Sequence, residues 1–171
     1  MPYTKISRTR RLWRHLVTDR ADVHRAFPPQ ELVRVENAIA EGEVRHAGQV
    51  CFAVEAALPV ARVWQGTTPR ERALEVFGLL RVWDTERNDG VLVYVLLADR
   101  DVEIVADRGI HAHVGPAAWE AICVHMEAAL REGRYAEGIA QGVSAIADLL
   151  AAHSPRAGAA RNELSDKPII L

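Results

Sequence analysis

Two polar clusters flank the most apolar stretch of the chain: Glu86, Asn88 and Asp89 before it, and Asp107, Arg108 and His111 after it. Carboxylates, an amide, a guanidinium and an imidazole are the groups that coordinate a divalent cation, hold a phosphate and move a proton. Between the clusters, Val91 to Ala98 is apolar, Asp99-Arg100-Asp101 is a polar break, and Val102, Ile104 and Ala106 alternate with other residues. That pattern predicts a buried strand, a turn and a second strand. In an antiparallel hairpin the start of the first strand and the end of the second share one edge of the sheet. The fold therefore brings the two clusters together.

Two readings of the joint cluster stay open. In the first, Asp89, Asp107 and Glu86, with Asn88 or His111 beside them, hold a divalent cation through mixed oxygen and nitrogen donors. Arg108 or Arg87 would hold phosphate, and His111, whose ordinary pKa is near 6.5, would be a general acid. In the second, Asp89 and Asp107 are turn or cap residues and the histidines are solvated. His111 and His113 share a side only if the backbone there is extended. Conventional nucleophiles are missing: no Cys-x5-Arg loop, no Gly-x-Ser-x-Gly elbow and no glycine-rich phosphate loop occurs. Hydrolysis by this chain would run through metal-activated water.

The positioning elements follow from periodicity and caps. Residues 8–26 read as a strongly basic helix with Leu12, Leu16 and Trp13 as its apolar stripe. Pro28-Pro29 opens a second helix carrying Leu32, Val35 and Ile39, with Gly42 as its stop. Gln49–Leu58 reads as a strand with Val50, Phe52 and Val54 on one face, followed by a loop over 59–66. Thr68-Pro69-Arg70-Glu71 is a capping box for a helix reaching about Trp83, with Leu74, Phe77 and Arg81 along one side. After the hairpin, Gly115-Pro116 starts a helix with Trp119, Ile122, Cys123, Met126 and Leu130 inward. The last helix carries Tyr135, Ile139, Val143, Ile146 and Leu150, and Gly138 and Gly142 form a small face for close packing. Trp64, Trp83 and Trp119 fall near element ends, where aromatic rings plug core edges. Three strands with helices for both faces predict an α/β fold: a three-layer α/β/α sandwich around a small mixed sheet. The expected division is a basic helical extension over 1–27, the α/β/α domain over 28–153 and a flexible tail over 154–171.

Composition narrows the class. A chain of 171 residues with 49% hydrophobic residues suits a single core. A net charge of −2 gives no global attraction to nucleic acid or to an anionic membrane. The longest apolar run is too short to span a bilayer, and a basic start without an apolar segment is not a signal peptide. Cys51 and Cys123 read as free thiols, so the expected compartment is the cytoplasm.

Three segments in order resemble the TPM-domain family: Ala47-Gly48-Gln49-Val50, the run NDGVLVYVLLADRDVEIVADRGI over 88–110, and REGRYAEGIAQGVSAIADLL with Arg134, Tyr135, Gly138 and Gly142. The likeness spans roughly Pro29 to His153. It implies a Rossmann-like α/β/α fold and a shallow acidic site for a divalent cation, calcium or another metal, at the loop end of the hairpin. It also implies phosphatase chemistry in some members and accessory or assembly roles in others. The chain departs from the family pattern at Asn88-Asp89-Gly90, where Asp-Asn-Gly is usual, and at Gly109-Ile110-His111-Ala112, where many members have Gly-Leu-Glu-Gly. The imidazole removes an oxygen ligand, which counts against calcium. The expected function is a binding or accessory module, with a protein partner reached through the basic N-terminal helix or the C-terminal tail; metal-dependent phosphomonoester hydrolysis is the alternative.

Overall fold

A computed structural model describes residues 7–156 and 162–171. Residues 1–6 of the expected extension and 157–161 of the expected tail lie outside the described residues. The elements are α1 (Arg8–Val17), α2 (Arg20–Ala26), α3 (Pro29–Glu43), β1 (Gln49–Glu55), α4 (Val60–Gln65), α5 (Pro69–Leu79), β2 (Gly90–Leu96), β3 (Asp101–Ala106), α6 (Arg108–Val114), α7 (Pro116–Arg131), α8 (Tyr135–His153) and β4 (Ile169–Ile170). The four-stranded sheet has the order β3-β2-β1-β4. β1 runs parallel to β2 and β4, and β2 pairs antiparallel with β3.

Every residue of β1 and β2 is buried, and the period of two sorts their side chains between two cores. Val50, Phe52 and Val54, with Val91, Val93 and Val95, face the core built with α2, α3, α7 and α8. Cys51, Ala53, Leu92, Tyr94 and Leu96 face the second core, which takes in Val63 of α4 and Ala73 and Val76 of α5. The result is the expected α/β/α sandwich with a mixed sheet. Phe52 meets Phe27, the residue that caps the C-terminus of α2, with ring centroids 5.7 Å apart. Val23 and Phe27, inside the stretch expected to be an extension, are thus fully buried.

Several local expectations need correction. The basic segment is two helices, because Asp19 caps α2 in a reciprocal box with Asp22. Its expected stripe holds only at Leu12, which packs on the second core: Trp13 and Leu16 are exposed, and His15 is the buried residue. Gly42 lies within α3, where an added Cβ would stand 2.8 Å from the Ala147 Cβ of α8. The loop after β1 contains α4, closed by Gly66 in the left-handed region at φ 88°. α5 ends at Leu79 and buries Pro69, Ala73 and Val76, leaving Leu74 exposed. Small residues there let the helix approach the sheet. Trp64 and Trp83 are exposed, while Trp119 is buried as expected. Beyond the tail's start, Ile169 and Ile170 pair with Ala53 and Val54 and cover the β1 edge.

Close packing of α7 on α8 bears out the small-face reading of α8. A Cβ on Gly142 would fall 2.3 Å from Met126 Sδ, and one on Gly138 would fall 2.4 Å from Ala129 Cβ. Gly142→Ala forces α7 and α8 apart and lowers unfolding free energy in urea by about 1–3 kcal/mol; an unchanged midpoint would show that Met126 swings away freely.

Candidate functional site

The hairpin brings its two ends together as its register requires. Val91 pairs with Ala106, the Asp107 N–H donates to the Gly90 carbonyl at 2.9 Å, and Gly109 packs on the Arg87 and Asn88 carbonyls. An added Cβ at Gly109 would lie 2.5 Å from the Asn88 oxygen, so only glycine fits. Asn88 itself takes φ 54°, which asparagine tolerates. The 86–90 turn and the start of α6 therefore form one surface.

Within that surface the side chains divide. Asp107 is the cap of α6: its Oδ1 accepts the Arg108 N–H at 2.6 Å, while its buried Oδ2 has no hydrogen-bond partner. Asp89 is buried, and its Oδ2 accepts the Ser154 hydroxyl at 3.0 Å. Burial raises the Asp89 pKa, with the Ser154 hydrogen bond opposing the shift. Glu86, Asn88, Arg87, Arg108 and His111 are exposed at the rim. The Glu86 backbone N–H donates to Glu163 Oε2 at 3.1 Å. His111 and His113 sit on α6, an element the residue pattern did not indicate, so their two-residue spacing turns them apart. The available signal for α6 was Asp107 as a cap and Gly115, at φ 79°, as a stop.

Two strongly perturbed groups lie next to this surface and were absent from the sequence reading. Glu43, at the end of α3, accepts the Val50 N–H at 3.1 Å through Oε1. Burial pushes its carboxyl up to about 7, with the Val50 hydrogen bond opposing and the Asp166 charge adding to the shift. The ring of His46, also buried, bonds the Gly48 carbonyl at 2.9 Å through Nδ1, which must therefore carry the proton. Burial lowers its pKa to about 4. Gln49 Oε1 accepts the N–H groups of Glu163 and Leu164 at 2.7 and 3.0 Å. Glu43, His46, Gln49, Arg156, Asn162 and Asp166 line a cavity of about 180 Å³. Glu163 links the cavity to the rim, because it meets both Gln49 and Glu86. The missed signal was polar residues at the junction of a helix end with a buried strand.

A second buried polar node sits at the other end of the sheet. Tyr94 Oη donates to Glu55 Oε2 at 2.6 Å, and Arg72 grips the same carboxylate through Nε at 2.8 Å and Nη2 at 3.1 Å. The hydroxyl and both carboxylate oxygens have partners, so this node locks α5 onto the sheet.

The donors at the hairpin edge fall short of a calcium cage. Calcium takes about six to eight oxygens, whereas the orphaned atom there is Oδ2 of Asp107 alone. Among the described residues no three His, Cys, Asp or Glu side chains stand close enough to hold a metal ion. Nor does the chain offer a thiol nucleophile. Burial pushes Cys51 up to about 11 and Cys123 up to about 12.

The raised Glu43 pKa carries a stability consequence of fixed sign. As pH rises from its ordinary 4.5 toward about 7, the unfolded chain loses that proton before the folded chain does, so stability falls. Glu43→Gln keeps the acceptor for Val50. Its stability relative to the wild type rises across that window to about 3 kcal/mol, read from urea melts at pH 4.5 and 8; a pH-independent difference would refute the assignment.

The family model for the TPM domain matches residues 17–149. Among solved structures, the NMR structure of the BA42 protein from the psychrophilic bacterium Bizionia argentinensis superposes with a TM-score of 0.74 at 22% identity. The match covers 83% of this chain and 93% of that one. That likeness shows a shared fold. No curated protein matches the chain. The family match takes in all three predicted strands, both ends of the hairpin and most of α8, and the chain belongs to the TPM-domain family.

Proposed function

We propose that the protein is a binding or accessory module of the TPM type, working through the hairpin edge and its adjoining cavity rather than through bond hydrolysis. One observation carries the reading. Each buried polar side chain of this edge is engaged by the chain itself through at least one atom: Glu43 holds Val50, His46 holds Gly48, Gln49 holds Glu163 and Leu164, Asp89 holds Ser154 and Asp107 caps α6, while His46 Nε2 and Asp107 Oδ2 have no partner. None forms a nucleophile–base pair of the kind covalent hydrolysis uses. The groups left for a ligand are the exposed rim of Glu86, Arg87, Asn88, Arg108 and His111 and the cavity beside it. Such a shallow, mixed-charge surface suits a polar partner or small ligand held by hydrogen bonds.

Metal-dependent phosphomonoester hydrolysis rests on the free Oδ2 of Asp107 alone. The two readings separate in one pair of measurements. Phosphate release from p-nitrophenyl phosphate, with magnesium, manganese or calcium present, is expected to be no higher for the wild type than for Asp89→Ala/Asp107→Ala. Calcium is expected to leave the melting temperature of both unchanged. A metal-dependent release abolished in the double variant would overturn the proposal. So would a calcium stabilisation lost in Asp107→Ala, since a ligand near 100 times its Kd adds about 2.7 kcal/mol.

A further inference from the structure

Helix α1 sits at the opposite end of the sheet from the hairpin edge. It is anchored there by Asp99, in the turn between β2 and β3. Arg11 Nε donates to Asp99 Oδ2 at 3.0 Å, and His15 Nε2 stands 3.2 Å from Oδ1. His15 Nδ1 accepts the Leu58 N–H at 2.9 Å, so the ring proton is on Nε2 and faces the carboxylate. Burial alone would raise the Asp99 pKa, but the hydrogen bonds from His15 and Arg11 outweigh it and lower it. Asp99 is thereby committed to the inner face of α1.

The outer face has no such counterion. Among the described residues, exposed Arg10 and half-buried Arg14 beside it have no carboxylate within salt-bridge distance, and neither has Arg8, whose guanidinium turns toward Gly66. Burial lowers the Arg14 pKa most, and like charge from Arg100, Arg10 and Arg11 lowers it further, against Asp99 as the one opposing charge that registers. Interleaved with these arginines are exposed apolar side chains: Trp13 at 65%, Leu16 at 61% and Val17 at 50%. The charge asymmetry extends to the whole chain. Residues 1–20 carry a net +5 and the remainder −7.

We propose that the outward face of α1 docks on an anionic phospholipid surface. Tryptophan prefers the headgroup level of a bilayer, Leu16 and Val17 supply shallow apolar insertion, and arginine stems lie along the interface while their heads meet lipid phosphates. The acidic remainder of the molecule is repelled by the same surface, which turns α1 toward it. A second copy fits this face poorly, because an isologous contact would set the arginine clusters against each other. A duplex or acidic protein answers the charge but leaves Leu16 and Val17 without an apolar medium. Docking of this kind needs no spanning segment, and no helix among the described residues is long and apolar enough to cross a membrane. It also leaves the hairpin edge facing away from the surface, free for its own ligand.

Co-sedimentation with vesicles tests the proposal. The full chain is expected to bind phosphatidylcholine vesicles containing phosphatidylserine, to ignore pure phosphatidylcholine, and to release as salt is raised past physiological strength. Arg10→Glu/Arg14→Glu weakens binding at least about thirtyfold, since each arginine near the surface is worth about fivefold. Trp13→Ala weakens it without altering the salt dependence. Both variants are compared at matched melting temperature, and Trp13→Phe identifies which tryptophan reports a blue shift on binding. Equal binding to neutral vesicles, undiminished binding by the charge-reversal variant, or no binding to anionic vesicles at low salt would each overturn the proposal. Retention on heparin without vesicle binding would reassign the face to a soluble polyanion. A dimer abolished by Trp13→Ala would reassign it to a copy–copy contact.

Discussion

Every side chain of β1 and β2 is buried, so the two central strands have no face left for water. That constraint sets the rest of the molecule. Both faces need helical cover, which α2, α3, α7 and α8 supply on one side and α4 and α5 on the other. Parallel pairing of β1 with β2 demands a crossover between them, which the α4–α5 segment provides. Polar chemistry is expelled to the strand ends, because a polar group inside either core would lose its water without a partner.

The two strand ends resolve this in different ways. At the Glu55 end, Tyr94 and Arg72 close a compact network with bidentate geometry. At the Gln49 end the solution is spread out. Glu43 of α3, Gln49 and Asp89 each receive one or two donors from the chain itself, Asp89 from the Ser154 hydroxyl just beyond α8, and the last ten residues join through Gln49 and β4. Spreading leaves a cavity and an exposed rim at this end, the two features on which the proposed binding role rests. The N-terminal helix is tied to the far end by Asp99, so the two surfaces with unmet polar or apolar demand point in different directions.

Much of this was legible in the residues. The hairpin, its shared edge and the alternation of Val50, Phe52 and Val54 follow from a period of two, and the Thr68–Glu71 box and the glycine face of α8 follow from local rules. What escaped was decided by tertiary context. Gly42 falls inside α3, one residue before its end, and its lack of a side chain serves the close approach of Ala147. Trp13 and Leu16 read as an inward stripe, yet His15 faces inward because Asp99 and the Leu58 N–H wait for it. Glu43 and His46 gave no motif at all. Their chemistry comes from burial against β1, which no spacing in the chain encodes. The polar residues of 86–89 and 107–111 were placed at the right edge, but whether Asp107 caps a helix or binds a cation is a matter of where α6 begins.

The Gln49 end of the sheet works as a polar edge only if Glu43 is held away from water. The carboxyl carbon of Glu43, followed by carbon-13 NMR through a pH titration of the full chain, reports that dryness directly. The midpoint is expected at about 7. A midpoint near the ordinary 4.5 would mean that water reaches Glu43 freely, and the edge described above would not exist.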